Sequence, residues 1–544
     1  MGPMNLPSTQ HAVQLVGPGQ LKLNPSKDVH RPGPRQVLAR VECVGLCFSD
    51  LKLLKQFDQH ARKGPIAAGL PPATLAQIPS YVPGTQPTVP GHEVTCRIVA
   101  VGPDVRHHRV GQRVLVQTDY RDLPTASSNA AFGYNFEGAL QEYVLMDERV
   151  IVDKSGRSFL IPVPEDLSAS AVALVEPWAC VEDSYVTRER QTVKRDGRML
   201  IVFDNDASID SAARMAAEGG VAHVDMANTP APAQFARRAA QSYDDIVYFG
   251  ARKEVVQALN DLLAPRGILN IVLGGRRIGS PVSVGIGRVH YGMTRWIGTV
   301  GHDAAESYRS IPATGELRPG DNIVVIGAGG PMGQMHVIRA VCSGIEGVSV
   351  TAADVDDGRL ESLKAKAAPL ASARGVELRT INTLKTRLED RFTYVALMAP
   401  VGALVASAVR DSAPGCLINV FAGIPAPTRQ DLDLDTYIAN RCFMFGTSGS
   451  TLRDMEIVLQ KVVAGQLDTN TSVDAVSGMA GAVDGMLAVE HRTLAGKILV
   501  YPQLHEMPLT PLDQLAARFP TVAAKLDRGQ WTRQAEQELL RVGR

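Results

Sequence analysis

Three short stretches in the first third of the chain carry side chains that can hold a metal ion. Gly45-Leu46-Cys47-Phe48-Ser49-Asp50 follows a Val-rich run over residues 36–44. A thiolate at a strand end binds soft or borderline metals, and a hydroxyl two residues later can reach the oxygen of a substrate bound beside it. Val89-Pro90-Gly91-His92-Glu93-Val94 adds an imidazole and a carboxylate after a Pro-Gly turn, and Val175-Glu176-Pro177 adds another carboxylate. Each stretch alone is a weak signal, because a lone Cys or His is more often packing than ligand.

A second chemistry sits downstream. The apolar run 322–326 leads into Gly327-Ala328-Gly329-Gly330-Pro331-Met332-Gly333 and then a helical stretch, 334–342. Strand, glycine turn and helix are what a pyrophosphate needs: backbone amides at a helix N-terminus and no Cβ to block approach. The loop is one residue longer than the simplest GxGxxG spacing. The next apolar run, 348–353, ends in Asp354, where an acid accepts hydrogen bonds from the adenosine ribose hydroxyls and repels a 2′-phosphate. The expected cofactor is therefore NAD, with NADP disfavoured.

The elements that must position these groups change character along the chain. Up to about residue 180, short Val/Ile-rich runs punctuated by Gly and Pro predict a mostly β module. Beyond it, buried-strand runs alternate with Ala-rich helical stretches, which predicts parallel α/β sheets. This part is too long for one such domain, and it repeats. Asp183-Ser184-Tyr185 recurs as Glu306-Ser307-Tyr308, Leu200-Ile201-Val202-Phe203 as Ile323-Val324-Val325-Ile326, and Gly298-Thr299-Val300-Gly301 as Gly446-Thr447-Ser448-Gly449, in preserved order. The offset puts Asp204, Asn205, Asp206, Ala207, Ser208, Ile209 and Asp210 opposite the glycine loop. Carboxylates there block a pyrophosphate by size and by Coulomb repulsion, about 1 kcal/mol per close like-charge pair even in water. The first copy is thus expected to be a spacer or dimerisation domain rather than a second ligand site.

Length and charge bound the partners. The chain has 544 residues, 56 basic and 56 acidic side chains, and seven cysteines with no CxxC pair. Several domains are required. Zero net charge without Lys/Arg runs argues against nucleic acid and anionic membranes. No signal segment or long apolar run is evident, and the odd, scattered cysteines suit reduced thiols, so a cytoplasmic protein is expected.

Taken together, GLCFSD, VPGHEV, VGQRVLV, EGALQEYV, LVEPWAC, the glycine loop with Asp354, and GKILVYP resemble the zinc-dependent medium-chain dehydrogenase/reductase family, especially its sorbitol-dehydrogenase and sorbose-phosphate-reductase branch. The resemblance implies an α/β protein with a β-rich GroES-like catalytic domain and two tandem Rossmann-like parallel-sheet domains, the first degenerate and inserted. Expected boundaries are 1–189 for the catalytic domain, completed by 450–503; 190–303 for the degenerate copy; 304–449 for the NAD domain; and 504–544 for a helical tail that either packs on the body or mediates association.

The resemblance also implies a catalytic zinc held by Cys47, His92 and either Glu93 or Glu176. Ser49 would take the substrate proton, and Asp50 would orient His92. Lys52 stands where relatives often place a relay histidine. Gly327, Gly329, Gly330, Pro331, Met332, Gly333, Asp354 and Arg359 are the implied cofactor contacts. No cysteine occurs over 117–136, where many relatives carry a four-cysteine lobe, so one catalytic zinc and no structural zinc are expected. Residues 53–90 are expected to form a loop beside the site. Arg62, Lys63 and Arg121 flank it, either to meet a phosphate or simply as solvated side chains.

The implied function is hydride transfer between NAD and a secondary alcohol of a polyol, sugar or sugar phosphate, in a homodimer or homotetramer. Two alternatives use the same fold: a sugar epimerase or lyase working through tightly bound NAD, and a non-catalytic nucleotide or redox sensor.

Overall fold

The computed structural model describes residues 6–204, 207–228, 235 and 238–543. It resolves into two compact units, Met1–Glu182 with Gly449–Arg544, and Asp183–Ser448. No helix among the described residues is long and apolar enough to cross a membrane.

The first unit is built on an antiparallel ladder of Gln36–Gly45 against Glu93–Val101. Alternating apolar side chains, including Val37, Ala39, Val41, Val94, Cys96 and Ile98, fill its core. The ladder is the middle of an eight-stranded sheet that continues on one side to Lys497–Val500, Val473–Ser477 and Thr510–Pro511. Register decides where chemistry emerges: Gly45 pairs with Glu93, and Leu499 pairs with Gly45 from the other side. Cys47, Glu93 and Lys497 therefore leave three adjacent strands at one end of the sheet.

Residues 53–90 are not one open loop. They hold the end of helix Phe48–Gln56, two 3-10 turns, Phe57–Gln59 and Ala61–Lys63, and helix Pro72–Leu75.

The tail packs on this unit. Its last helix, Arg533–Val542, presents Glu536, whose two carboxylate oxygens accept the amides of Ala169 (2.7 Å) and Ser170 (2.8 Å) at the start of helix Ala169–Ala173. A carboxylate on orphan helix N–H groups is a favourable cap. Trp531 is buried beside it.

The second unit holds both repeats in one continuous 11-stranded sheet. Its last six strands run in the order Phe443–Phe445, Ser412–Val420, Phe392–Leu397, Asn322–Ile326, Ser349–Asp354 and Glu377–Asn382. Read by chain position this is the doubly wound order of a dinucleotide-binding sheet. The first repeat contributes five described strands, from His223–Asn228 at the edge through Arg198–Phe203, Tyr243–Phe249 and Leu263–Val272 to Arg295–Thr299.

The halves join antiparallel at Trp296 opposite Met444. A second antiparallel pair, Val282–Val284 with Gln430–Leu432, sets Ser283 opposite Asp431. Both pairings have the sequence spacing of the Gly298 and Gly446 match, so Trp296 and Ser283 each face their own counterpart across a local two-fold.

The segments that lead into the repeats are exchanged. Ser184 accepts a hydrogen bond from Asn419 (3.0 Å) and Tyr185 meets His336 (2.8 Å), both in the second copy. Tyr308, the counterpart of Tyr185, instead donates to Asp245 of the first copy (2.7 Å). Where the chain enters and leaves the first copy, the Glu189 amide bonds the Ala313 carbonyl (3.0 Å) and Arg188 bridges Thr314.

Candidate metal centre and dinucleotide loop

Cys47 caps helix Phe48–Gln56, and Asp50, three residues on, bonds back to the Cys47 amide (3.1 Å). This local capping turn places Ser49 over the centre: its hydroxyl lies 3.0 Å from Cys47 Sγ and 3.1 Å from His92 Nε2. Asp50 reaches across to the Gly91 amide (3.2 Å) and to His92 Nδ1 (3.1 Å). With Nδ1–H donated to Asp50, the Nε2 lone pair of His92 is directed toward the centre.

Burial alone would raise the Asp50 carboxyl. The adjacent His92 and the two amides override it and hold the group low. Burial likewise works against a charged His92, and Asp50 raises it well above the ordinary imidazole value.

Ligand atoms of Cys47, His92 and Glu93 all lie within 4.8 Å of one another. Glu93 is fully buried. Its Oε1 pairs with Lys497 Nζ at 2.5 Å, while Oε2 has no hydrogen-bond partner. Gly45 makes room for that oxygen, since a Cβ there would lie 2.2 Å from Oε2. A buried carboxylate with one unpartnered oxygen, grouped with a thiol and an imidazole, is the donor set of a borderline divalent metal, so these residues fit zinc.

Glu176 lies outside the cluster. It is also buried, and accepts a contact from Cys180 Sγ (3.6 Å). Burial pushes its carboxyl up to about 7; His92 opposes that rise and Glu93 adds to it.

The glycine loop in the second unit is shaped by close approach. Gly330 caps helix Pro331–Val341, with Pro331 and Met332 in its first turn. A Cβ on Gly333 would lie 2.2 Å from the Gly327 carbonyl, and one on Gly329 would lie 2.6 Å from Arg359 Cβ, so helix and loop pack at backbone distance. Asp354 Oδ2 accepts the Gly329 amide (2.8 Å) and its Oδ1 accepts the Val355 amide (2.8 Å), which ties the acid to the loop. The Arg359 amide caps onto Asp356 (3.0 Å). At Gly330 nothing lies within 4 Å of the missing Cβ, leaving the helix start open.

In the first copy, Asp204 accepts from Tyr248 (3.1 Å) and pairs with Arg276 (3.3 Å). Asp210 starts helix Asp210–Gly219. Asn205 and Asp206 lie outside the described residues.

Residues 33–156 match the family model of the alcohol dehydrogenase GroES-like domain. The protein YggP of Escherichia coli (strain K12) is 29% identical over 249 residues, 41% of this chain and 57% of that protein. L-sorbose 1-phosphate reductase of Klebsiella pneumoniae is 24% identical over 336 residues, 54% of this chain and 76% of that protein. The chain thus carries an alcohol dehydrogenase GroES-like domain at residues 33–156. It spans about 57% of the length of the first of these relatives. The solved structure of 2R,3R-butanediol dehydrogenase from Bacillus subtilis shares the fold, with a TM-score of 0.52 at 15% identity, over 91% of this chain and 100% of that one.

Four residues around the centre were not singled out from the sequence. Lys497 is the buried partner of Glu93, and its signal was the Lys of the GKILV stretch. Tyr134 bonds Ser49, and His60 packs on Tyr134 at 5.0 Å. Burial, with Arg62 and Lys52 nearby, lowers His60 to about 4, so its ring is neutral at neutral pH. Asp119 holds Arg62 at 2.6 Å, and Arg62 stacks over Tyr134. None of these three lies in a motif.

The picture of solvated cations fails for Lys63. It is fully buried with its ammonium on the Val82 and Gln86 carbonyls, because the Ala61–Lys63 turn folds it inward. Lys52 is exposed on the helix beside the site.

Proposed function

We propose that this chain is a zinc- and NAD-dependent oxidoreductase that interconverts a secondary alcohol of a polyol, sugar or sugar phosphate and the corresponding ketone. The observation that carries this reading is the Cys47, His92 and Glu93 cluster, with the Ser49 hydroxyl on its Cys47 and His92 members. Zinc at these residues would supply Lewis acidity toward the alcohol oxygen, and NAD would accept the hydride.

The protein's own groups do the rest. Ser49 is positioned to take the hydroxyl proton, and Tyr134 and the partly exposed, neutral His60 lead away from it toward solvent. Asp50 fixes the His92 ring. Glu176, whose carboxyl burial pushes up to about 7, can take or release a proton beside the ligands near neutral pH.

In the second unit, the start of helix Pro331–Val341 would hold the pyrophosphate and Asp354 the ribose. The name of the Klebsiella relative supports a sugar-phosphate substrate, for which Arg62 and the half-exposed Arg121 offer positive charge.

A panel of polyols, sugars and sugar phosphates, assayed for NADH formation with metal analysis alongside, tests the reading. NADH is expected to form in proportion to ketone, and to be lost with Cys47→Ala. Full activity in a zinc-free protein would overturn it, and substrate conversion without NADH release would favour an epimerase or lyase.

A further inference from the structure

We propose that His11, Glu142 and His505 form a second metal site, for a borderline divalent metal such as zinc, which fastens the segment after Tyr501 to the N-terminal strand. This site is separate from the Cys47 cluster and does not depend on the function proposed above. It also raises the metal count above the single catalytic zinc expected from the sequence.

The three side chains come from segments far apart in the chain, and each is fixed by backbone hydrogen bonds. His11 lies on strand Thr9–Gly17. Its amide donates to Glu142 Oε2 (2.8 Å), and its carbonyl accepts the Glu142 amide (3.3 Å). Glu142 precedes strand Tyr143–Asp147, next to the bridge between Ala12 and Gln141. His505 is held through its carbonyl, which accepts the Ala480 amide (2.9 Å), with the Leu504 carbonyl accepting the Met479 amide (3.1 Å) just before it. Backbone bonds of the fold thus bring the three residues together, with the Glu142 carboxylate also holding the His11 amide.

The ligand atoms converge. His505 Nε2 lies 2.9 Å from Glu142 Oε1, His11 Nδ1 lies 3.6 Å from Glu142 Oε2, and one atom from each residue falls within a 4.8 Å group. The imidazole rings stack at 3.9 Å, 25° from parallel. A tetrahedral zinc with ligands about 2.0–2.2 Å away needs ligand atoms roughly 3.3–3.6 Å apart. The two histidines approach different oxygens of Glu142, and small side-chain rotations bring one atom of each residue from the 4.8 Å group to that spacing.

Two imidazoles and a carboxylate are a common zinc donor set, and three protein ligands leave a fourth position for water. Side-chain exposures of 24%, 20% and 38% for His11, Glu142 and His505 leave a route for the ion from solvent. A clip between His11 and His505 closes a loop of nearly the whole chain, the kind of closure that restricts the unfolded state most. Its natural role is to keep the tail, with its Glu536 cap and buried Trp531, docked on the first unit.

The test uses full-length protein stripped by chelation and titrated with cobalt(II) alone. Wild type is expected to bind two equivalents: one with thiolate-to-cobalt charge transfer from Cys47, and one with only the weak d–d bands of nitrogen and oxygen ligation. His505→Ala and His11→Ala should each keep the charge-transfer band and lose the other equivalent. The affinity of that equivalent should fall by more than the about 10–100-fold that loss of a partner outside the ligand set costs. Cys47→Ser should show the reverse pattern; if it misfolds, the two histidine variants carry the test alone, with circular dichroism as the check on folding. Metal should also protect residues 502–544 from proteolysis in wild type but not in His505→Ala. Unchanged stoichiometry in both folded histidine variants would overturn the proposal. One equivalent without charge transfer in wild type would uphold this site while refuting the Cys47 centre.

Discussion

Replacing Lys497 by Met makes a metal-dependent stability change that the geometry of Glu93 allows to be worked through. The Lys497 ammonium and the Glu93 carboxylate are 2.5 Å apart, with side chains 4% and 0% exposed. Glu93 Oε2 already lacks a partner, and Glu176 is buried nearby. Without metal, the variant leaves a carboxylate buried with no counter-charge, a change that costs about 3–5 kcal/mol. With a divalent cation on Cys47, His92 and Glu93, the lost positive charge is replaced. The cost should then drop to about that of one lost hydrogen bond, roughly 0.5–1.5 kcal/mol. The difference between the two conditions is therefore about 1.5–4.5 kcal/mol.

Hydrogen exchange read by mass spectrometry on peptides from Gln36–Gly45 and Glu93–Val101 gives the opening free energy of this ladder directly. Wild type and variant are compared in chelator and at one fixed free zinc concentration, since zinc stabilises both by mass action. Equal destabilisation in the two conditions would refute the reasoning, because it would mean that Glu93 does not face the metal. A loss below about 1 kcal/mol in chelator would show that the ion pair is not buried as described.

Asp50→Asn should weaken zinc binding by about 10–100-fold, measured by chelator competition, because one of the three donors now on Asp50 would meet an amide NH₂. Gly333→Ala should raise the NAD dissociation constant by about 100-fold in calorimetric titration, since its Cβ must displace the loop by ångströms, whereas Asp210→Asn in the first copy should leave it unchanged. Acid should destabilise the first unit in two stages. Burial lowers the His108 imidazole, so the unfolded chain takes up that proton first and stability falls once the pH drops below about 6.5. Burial alone would raise Glu148, but the amides of His107 and Arg106 hold it low, and its contribution is lost further down, below about 4.5. His108→Gln should flatten the upper stage in melting temperatures measured from pH 7 to 5.

The parts legible in sequence were those fixed by local pattern. Cys47, Ser49 and Asp50 share one capping turn, His92 and Glu93 follow one Pro-Gly turn, and the strand Asn322–Ile326 runs straight into its glycine loop. Periodicity located the buried strands, and the tripeptide matches exposed the repeat. What stayed hidden depends on long-range register. Lys497 meets Glu93 only because Leu499 pairs with Gly45. Tyr134 reaches Ser49, and His60 reaches Tyr134, through turns without a hydrophobic period. His11, Glu142 and His505 are brought together from opposite ends of the chain. The joining of both repeats into one sheet, and the exchange of their lead segments, leave no trace in local propensity, since each half reads as a complete α/β pattern by itself.

The junction at Trp296 and Met444 is an isologous contact, the kind that two identical subunits make, closed here inside a single polypeptide. Strand Phe443–Phe445 has its open side covered by the first copy, so that edge is unavailable to any other chain. The first copy is also spliced in at one point, with Glu189 and Ala313 hydrogen-bonded where it enters and leaves. Its natural unit is thus bounded by that junction and carries the Tyr308 helix with it. Excising it there would leave ends already in contact and a bare strand at 443–445, turning an internal seam into a surface that a second copy of the shortened chain could occupy.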